Sequence, residues 1–259
     1  MLPLKRLNDI KEILLANKQA DVSTLARKLK VTEATIRRDL EKLEEEQFLT
    51  RTHGGALLNE QAPAVTSAFV QNELHPEIYQ NIGKIAAQFV ENDSLIFLGP
   101  GMCTRYIARE LSSKKNVNVV TNDLYVAHDC AIYSPNLSVI VVSGILNPTT
   151  MQLYGQMTFT ILESFYFNSA FFEIDGITLR RGYSVDSPDK AFLTQNISKN
   201  ICKKSYAVSP YQNFDTESAA VVGNMDAFSA VITNERVPAN YKEFYFSNNI
   251  PIYATINVY

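Results

Sequence analysis

Seven short apolar runs in the last two-thirds of the chain constrain its fold most. They read "SLIFLG" (94–99), "VNVVTN" (117–122), "LSVIVVSG" (137–144), "SAFFEIDG" (169–176), "KSYAVSP" (204–210), "SAVITN" (229–234) and "IPIYATI" (250–256). Each is too short for a buried helix, rich in Val, Ile, Phe and Tyr, and bounded by turn-forming residues. Helical stretches such as "CTRYIARELSS" and "KAFLTQNISKNICKK" lie between them. Runs apolar on both faces, separated by helices, predict parallel strands joined by crossover helices. The expectation is an α/β domain around a mostly parallel sheet of six or seven strands. Such sheets bind ligands at the carboxyl ends of their strands.

The first sixty residues follow a different period. Leu7, Ile10, Ile13 and Leu14 form one amphipathic stripe. A second helix begins at "DVSTLARKL", with Asp21 or Ser23 as N-cap and Val22, Leu25 and Leu29 inward. After the turn at Lys30–Val31, Thr32 can cap a third helix that has Glu33 at the positive end of its dipole. That helix buries Ile36, Leu40 and Leu43 and turns Thr35, Arg37, Arg38 and Lys42 outward. Asp39 is no natural base reader; it can fix a neighbouring cation. Two helices across a tight turn, the second with arginines near its start, predict a helix-turn-helix. The guanidinium fork suits a guanine edge or a phosphate. "QFLTRTHGGAL" then reads as a β-wing anchored by Phe48 and Leu49, with a glycine turn and with Arg51 and His53 toward a DNA backbone.

Charge agrees with a nucleic-acid-binding head. Residues 1–58 carry 11 Lys and Arg against 9 Asp and Glu, while the other 201 carry 13 against 18. No apolar run approaches a membrane span of about 18 residues, and no signal peptide is evident. Cys103, Cys130 and Cys202 are odd in number and widely spaced, which fits neither a disulfide framework nor a metal site. A cytoplasmic protein without metal or cofactor is expected.

"LARKLKVTEATIRRDLEKLEEEQFLTRTHGGA" closely resembles the N-terminal signature of the DeoR family of bacterial transcription regulators, over residues 3–58. Gln47 departs from the glycine usual there, and Glu44 to Glu46 sit against the negative end of the helix dipole. The resemblance implies a winged helix-turn-helix domain over 1–58, a linker over 59–75 and an α/β effector-sensing and oligomerisation domain over 76–259. It also implies a double-stranded DNA operator, a homo-oligomer and a phosphorylated-sugar effector. The implied function is repression of carbohydrate-metabolism genes. Thr32, Thr35, Arg37, Arg38, Lys42, Arg51 and His53 are the expected DNA contacts.

The strand-end loops carry the candidate effector residues. "GPGMCT" runs from a strand into a helix and can hold a phosphate on backbone N–H groups. Gly101, Met102, Cys103, Thr104 and Arg105 belong to it; Thr121 and Asn122 end the next strand, followed by Gly144 and later Gly182. Relative to the family pattern, Gly99 stands for an Asp, Met102 and Cys103 for hydroxyl residues, and Ser143 for a Gly. Ser209 and Gln212 stand for an Asp and a Lys; Lys190 and Thr194 stand for a Glu and a Lys. A phosphate needs hydroxyl donors and a cation, so these losses predict an altered, weak or silent sensor. Arg105 can replace the cation or sit solvated on its helix. Cys103 reads as a small core residue, with redox reactivity as the alternative. "ESFYFNSAFFE" fits either the core or a dimer surface. An isomerase-like enzyme would need an acid/base pair. His75, His128, Asp123, Asp175 and Asp186 offer none that convinces, so no catalytic residue is expected.

Overall fold

The computed structural model describes residues 3–45, 48–52, 54–59, 76–235 and 237–254. The chain divides into two units at Pro76–Glu77.

The head contains α1 (Pro3–Asn17), β1 (Gln19–Asp21), α2 (Val22–Leu29), α3 (Glu33–Glu45), β2 (Leu49–Arg51) and β3 (Gly55–Leu58). Ile10, Leu14, Leu25, Ile36, Leu40, Leu43, Phe48 and Leu49 form its core, so the predicted stripes all point inward. Asp21 precedes α2 without a side-chain cap bond, and the turn is made instead by Lys30 in the left-handed region. Strand β1 falls where a plain helix end is predicted. It pairs with β3, which pairs with β2, giving a three-stranded antiparallel sheet. The predicted glycine turn has a different reason at Gly55. That residue lacks a positive φ, but a Cβ there would stand 2.2 Å from the Ala20 carbonyl oxygen. Gly55 therefore lets two strands approach. Gln47, His53 and linker residues 60–75 lie outside the described residues.

The body begins with α4 (Pro76–Ala87). Then follow β4 (Leu95–Leu98), α5 (Met102–Arg109), β5 (Asn118–Thr121), α6 (Leu124–Tyr133) and β6 (Ser138–Val141). A hairpin of β7 (Ile145–Asn147) and β8 (Gln152–Tyr154) leads to α7 (Gln156–Leu162) and β9 (Ser169–Glu173). After β10 (Gly176–Thr178), β11 (Gly182–Val185) and α8 (Pro188–Asn200) come β12 (Ser205–Val208), β13 (Ala220–Gly223), β14 (Ala230–Ile232), α9 (Ala239–Ser247) and β15 (Ile252–Tyr253). All seven predicted runs contain strands of one parallel sheet, ordered β15-β14-β12-β9-β4-β5-β6. A smaller antiparallel sheet has the order β10-β11-β13.

Period-two packing explains the unbroken apolar runs. Phe97, Val120, Ala170, Phe172, Ala207 and Val231 face one core, while Ile96, Leu98, Val119, Phe171, Val208 and Ile232 face another. Both faces are covered, so both alternating positions must be apolar. Most of the aromatic-rich stretch joins this packing through Phe167, Phe171 and Phe172; Tyr166 remains exposed. The chain starts the sheet at β4, builds β5 and β6 on one side, then crosses to β9. The topological switch point therefore lies between β4 and β9, where a crevice is expected.

Candidate functional site

In the head, α3 presents a basic outer face. Arg37 and Arg38 are exposed, as are Thr32 and Lys42, with Thr35 half-buried. Arg37 reaches only Glu33, one turn back at 3.5 Å, with both side chains about half exposed. Arg38 and Lys42 make no ion pair among the described residues. Thr32 Oγ1 accepts from the Thr35 backbone N–H at 3.3 Å, as its capping role predicts. Asp39 does fix a cation, but one distant in sequence: its buried carboxylate takes Arg6 Nε at 2.5 Å and Nη2 at 3.1 Å. This bidentate pair ties α1 to the inner side of α3.

The acidic end of α3 has a structural use that sequence reasoning missed. Glu44 accepts the Arg51 backbone N–H at 2.9 Å, and the Arg51 guanidinium lies 3.4 Å from Glu41 and 3.8 Å from Glu44. Glutamates that oppose the helix dipole thus hold the wing strand. Arg51 already has these carboxylates beside it.

At the switch point, the loop after β4 turns into α5 through Gly101, whose φ is +138°. The Cys103 backbone N–H donates to the Glu173 carboxylate at the end of β9. A Cβ on Gly101 would stand 2.6 Å from Glu173 Cδ, so glycine is required for that carboxylate to sit there. Thr104 is buried and its hydroxyl donates to the Gly101 carbonyl at 2.8 Å. Lys190, buried on α8, holds Asp175 at 2.8 Å. Burial pushes the Glu173 carboxyl up to about 7, against the opposing pull of the Lys190 charge. Neither Glu173 nor the Lys190–Asp175 pair was anticipated as part of the site. Lys190 was signalled only as a departure from the family pattern, and Asp175 only as an acid/base candidate.

The neighbouring strand ends bring further polar groups to the switch point. Asp123 is buried and caps α6, accepting from Tyr125 N at 2.8 Å and Val126 N at 3.1 Å. Burial raises its pKa to about 6, partly offset by those two N–H groups and by Arg105. Thr121 Oγ1 accepts from Asp123 N at 3.1 Å. Asn122 Nδ2 donates to the Leu153 carbonyl at 3.0 Å, and its buried Oδ1 has no hydrogen-bond partner among the described residues. Ser143 Oγ, after β6, is likewise orphaned. Burial raises the pKa of the Tyr154 hydroxyl above its ordinary value, with the Lys190 charge opposing.

Several expected effector residues serve packing instead. Arg105 is neither a free cation nor a solvated residue: it is buried, with Nε 2.8 Å and Nη2 3.4 Å from Asp129. Arg109 shares that carboxylate at 3.0 Å, so α5 and α6 are joined by ions. Met102 is buried, its sulfur 3.3 Å from Arg105 Nη1. Cys103 is buried and its thiol pKa lies well above the ordinary value, chiefly through burial; this opposes redox reactivity. Gly182 (φ +74°) permits close approach of β11 to Gly223, and Gly144 lies against Thr158 and Tyr154. Ser209 is buried with its hydroxyl donating to the Ile174 carbonyl at 2.7 Å, whereas Gln212 is exposed. His128 is exposed and His75 lies outside the described residues.

Comparison with known proteins covers both units. The family described as the DeoR C terminal sensor domain matches residues 75–235, and the DeoR-like helix-turn-helix domain matches residues 6–62. The chain is similar to the HTH-type transcriptional regulator GolR of Listeria innocua serovar 6a, at 28% identity over 94% of this chain and 96% of that one. It is similar to the Lactose phosphotransferase system repressor of Lactococcus lactis subsp. lactis, at 26% identity over 93% and 94%. A third relative, the uncharacterized HTH-type transcriptional regulator YulB of Bacillus subtilis (strain 168), is 32% identical over 76% of each chain.

Proposed function

The chain belongs to the DeoR family of transcriptional regulators, and from that premise we propose that it is an operator-binding repressor of carbohydrate-metabolism genes. The observation that carries this reading is the outer face of α3, where Arg37, Arg38 and Lys42 project from a helix anchored by Ile36, Leu40 and Leu43. A guanidinium in this place reads guanine bidentately or clamps a phosphate. Thr32 and Thr35 add hydroxyls at the start of the same helix. Arg51, on the strand β2, supplies a backbone contact, and His53 is the second residue assigned that role. The name of the lactococcal relative supports the carbohydrate assignment.

The body senses a small ligand in the crevice formed by the ends of β9, β4, β5 and β6. The orphaned Asn122 Oδ1 and Ser143 Oγ support this, because a buried polar atom without a partner is costly. Release from DNA follows if the ligand favours a body arrangement in which the heads do not match the operator. Self-association of the body is supported by its open edge: Ile140 and Val141 on β6 are exposed beside an unpaired strand backbone. The body is not a catalyst in this reading. Asp123 is committed to a helix cap and Asp175 to Lys190. A silent body is the second reading, favoured by the Glu173 carboxylate in the loop.

The test is fluorescence anisotropy on operator DNA across a salt series. Arg37→Ala and Arg38→Ala are expected each to weaken binding by about 1–3 kcal/mol if they read a base. An arginine that touches only phosphate will instead reduce the log–log salt slope by about 1 and spare sequence preference. Unchanged binding in both variants contradicts the assignment of α3.

A further inference from the structure

We propose that Glu173 is the residue that sets the ligand class of the crevice: its side chain occupies the anion position of the Gly101–Cys103 loop, and phosphate is thereby excluded. This rests on the reading of the crevice as a ligand site and adds what that site rejects.

Three observations carry it. First, the loop opens onto the N-terminus of a helix that has no side-chain cap. Gly101 takes a positive φ and leads into α5, so the first N–H groups of that helix point out of the sheet end. Second, that helix start is already occupied from within. The Cys103 N–H donates to the Glu173 carboxylate, and the missing Cβ of Gly101 makes the room for it. Third, the charges around the place are balanced without an outside anion. Lys190 is buried, pairs with Asp175 at 2.8 Å and lies 4.0 Å from Asp186, with Glu173 close enough to act on it electrostatically. A phosphate entering here would displace one carboxylate and meet others. The hydroxyl groups it would need are also committed, since Thr104 bonds Gly101 and Ser209 bonds Ile174. Among the described residues, Asn122 Oδ1 and Ser143 Oγ at the neighbouring strand ends have no partner, and they suit the hydroxyl groups of an uncharged ligand.

Glu173→Ala is the informative variant. It removes the resident carboxylate, frees the Cys103 N–H and leaves Lys190 with less negative charge around it. Full-length wild type and E173A are titrated with inorganic phosphate by calorimetry and by thermal shift at about pH 8, in the ionised range of an ordinary carboxylate. Wild type is expected to show no saturable binding, and E173A to bind at least about 10-fold more tightly. Equal binding by both proteins, or no binding by a folded E173A, overturns the proposal.

If E173A does not fold, crystals of the wild type soaked in phosphate decide. No phosphate density at Cys103 N, with Glu173 in place, supports it; phosphate there with Glu173 swung away overturns it. These measurements contain no DNA. Failure of operator binding would therefore strike the regulatory reading and leave this one separately testable.

Discussion

Glu173 carries a titratable group into the middle of the body, and this has a measurable consequence for stability. Its folded pKa is raised from 4.5 to about 7 by burial, with Lys190 opposing and Asp175 reinforcing the shift. Between those values the unfolded chain releases a proton that the folded chain keeps. The folded state then binds more protons, so stability falls as pH rises through that window. Asp123 acts in the same direction over a lower window, from 3.8 to about 6. Chemical denaturation across this range is expected to show declining stability in the wild type and a flatter profile in Glu173→Gln. A profile of the same slope in both proteins would assign the effect elsewhere. At this scale the sequence is informative about the outward-facing residues of α3 and poor about the switch point of the body. Arg37 and Arg38 are legible because helical spacing alone separates them from Ile36 and Leu40. Glu173 is not legible, because a carboxylate ending an apolar strand reads as an ordinary strand terminus. Its partner, the Cys103 N–H, is 70 positions away.

Among the elements, α5 and α6 are joined by the Arg105–Asp129–Arg109 cluster as well as by the apolar packing of Ile107, Val126 and Cys130, with the Arg105 guanidinium 5.1 Å from the Tyr125 ring centre. Removing one member of a buried ion cluster leaves an uncompensated charge. Arg105→Met is expected to destabilise the body by ~3 kcal/mol, moderated by Arg109, while DNA contacts of the head are untouched. Urea unfolding measures this; a loss below about 0.5 kcal/mol would place Arg105 among ordinary surface residues. The inner strands of the main sheet are legible because both their faces are buried and nearly every position must be apolar, while edge strand β6 keeps an apolar run although Ile140 and Val141 are exposed. The small elements are not. Strand β1 has three residues with burial alternating only between exposed and half-buried, and β7 is exposed throughout. Neither leaves an apolar pattern, since both owe their form to pairing with a partner strand.

For the whole molecule, the account joins a DNA-reading head to a sensing body through sequence membership of both units in one regulator family. Regulation requires the ligand to bind the two functional arrangements of the body with different affinity; equal affinity would shift nothing. The body's acidic balance and the head's slight basic excess divide the labour, because DNA binding draws on the head's cations while the body gains no general attraction to phosphate. The measurement that tests this most directly is anisotropy of the full-length protein on DNA from upstream of its own gene, in excess random-sequence competitor at fixed salt. The account predicts binding at least about 10³-fold tighter than to random DNA, lost when Arg37 and Arg38 are both replaced by alanine. Equal affinity for both DNAs, or specific binding that survives the double replacement, would contradict it.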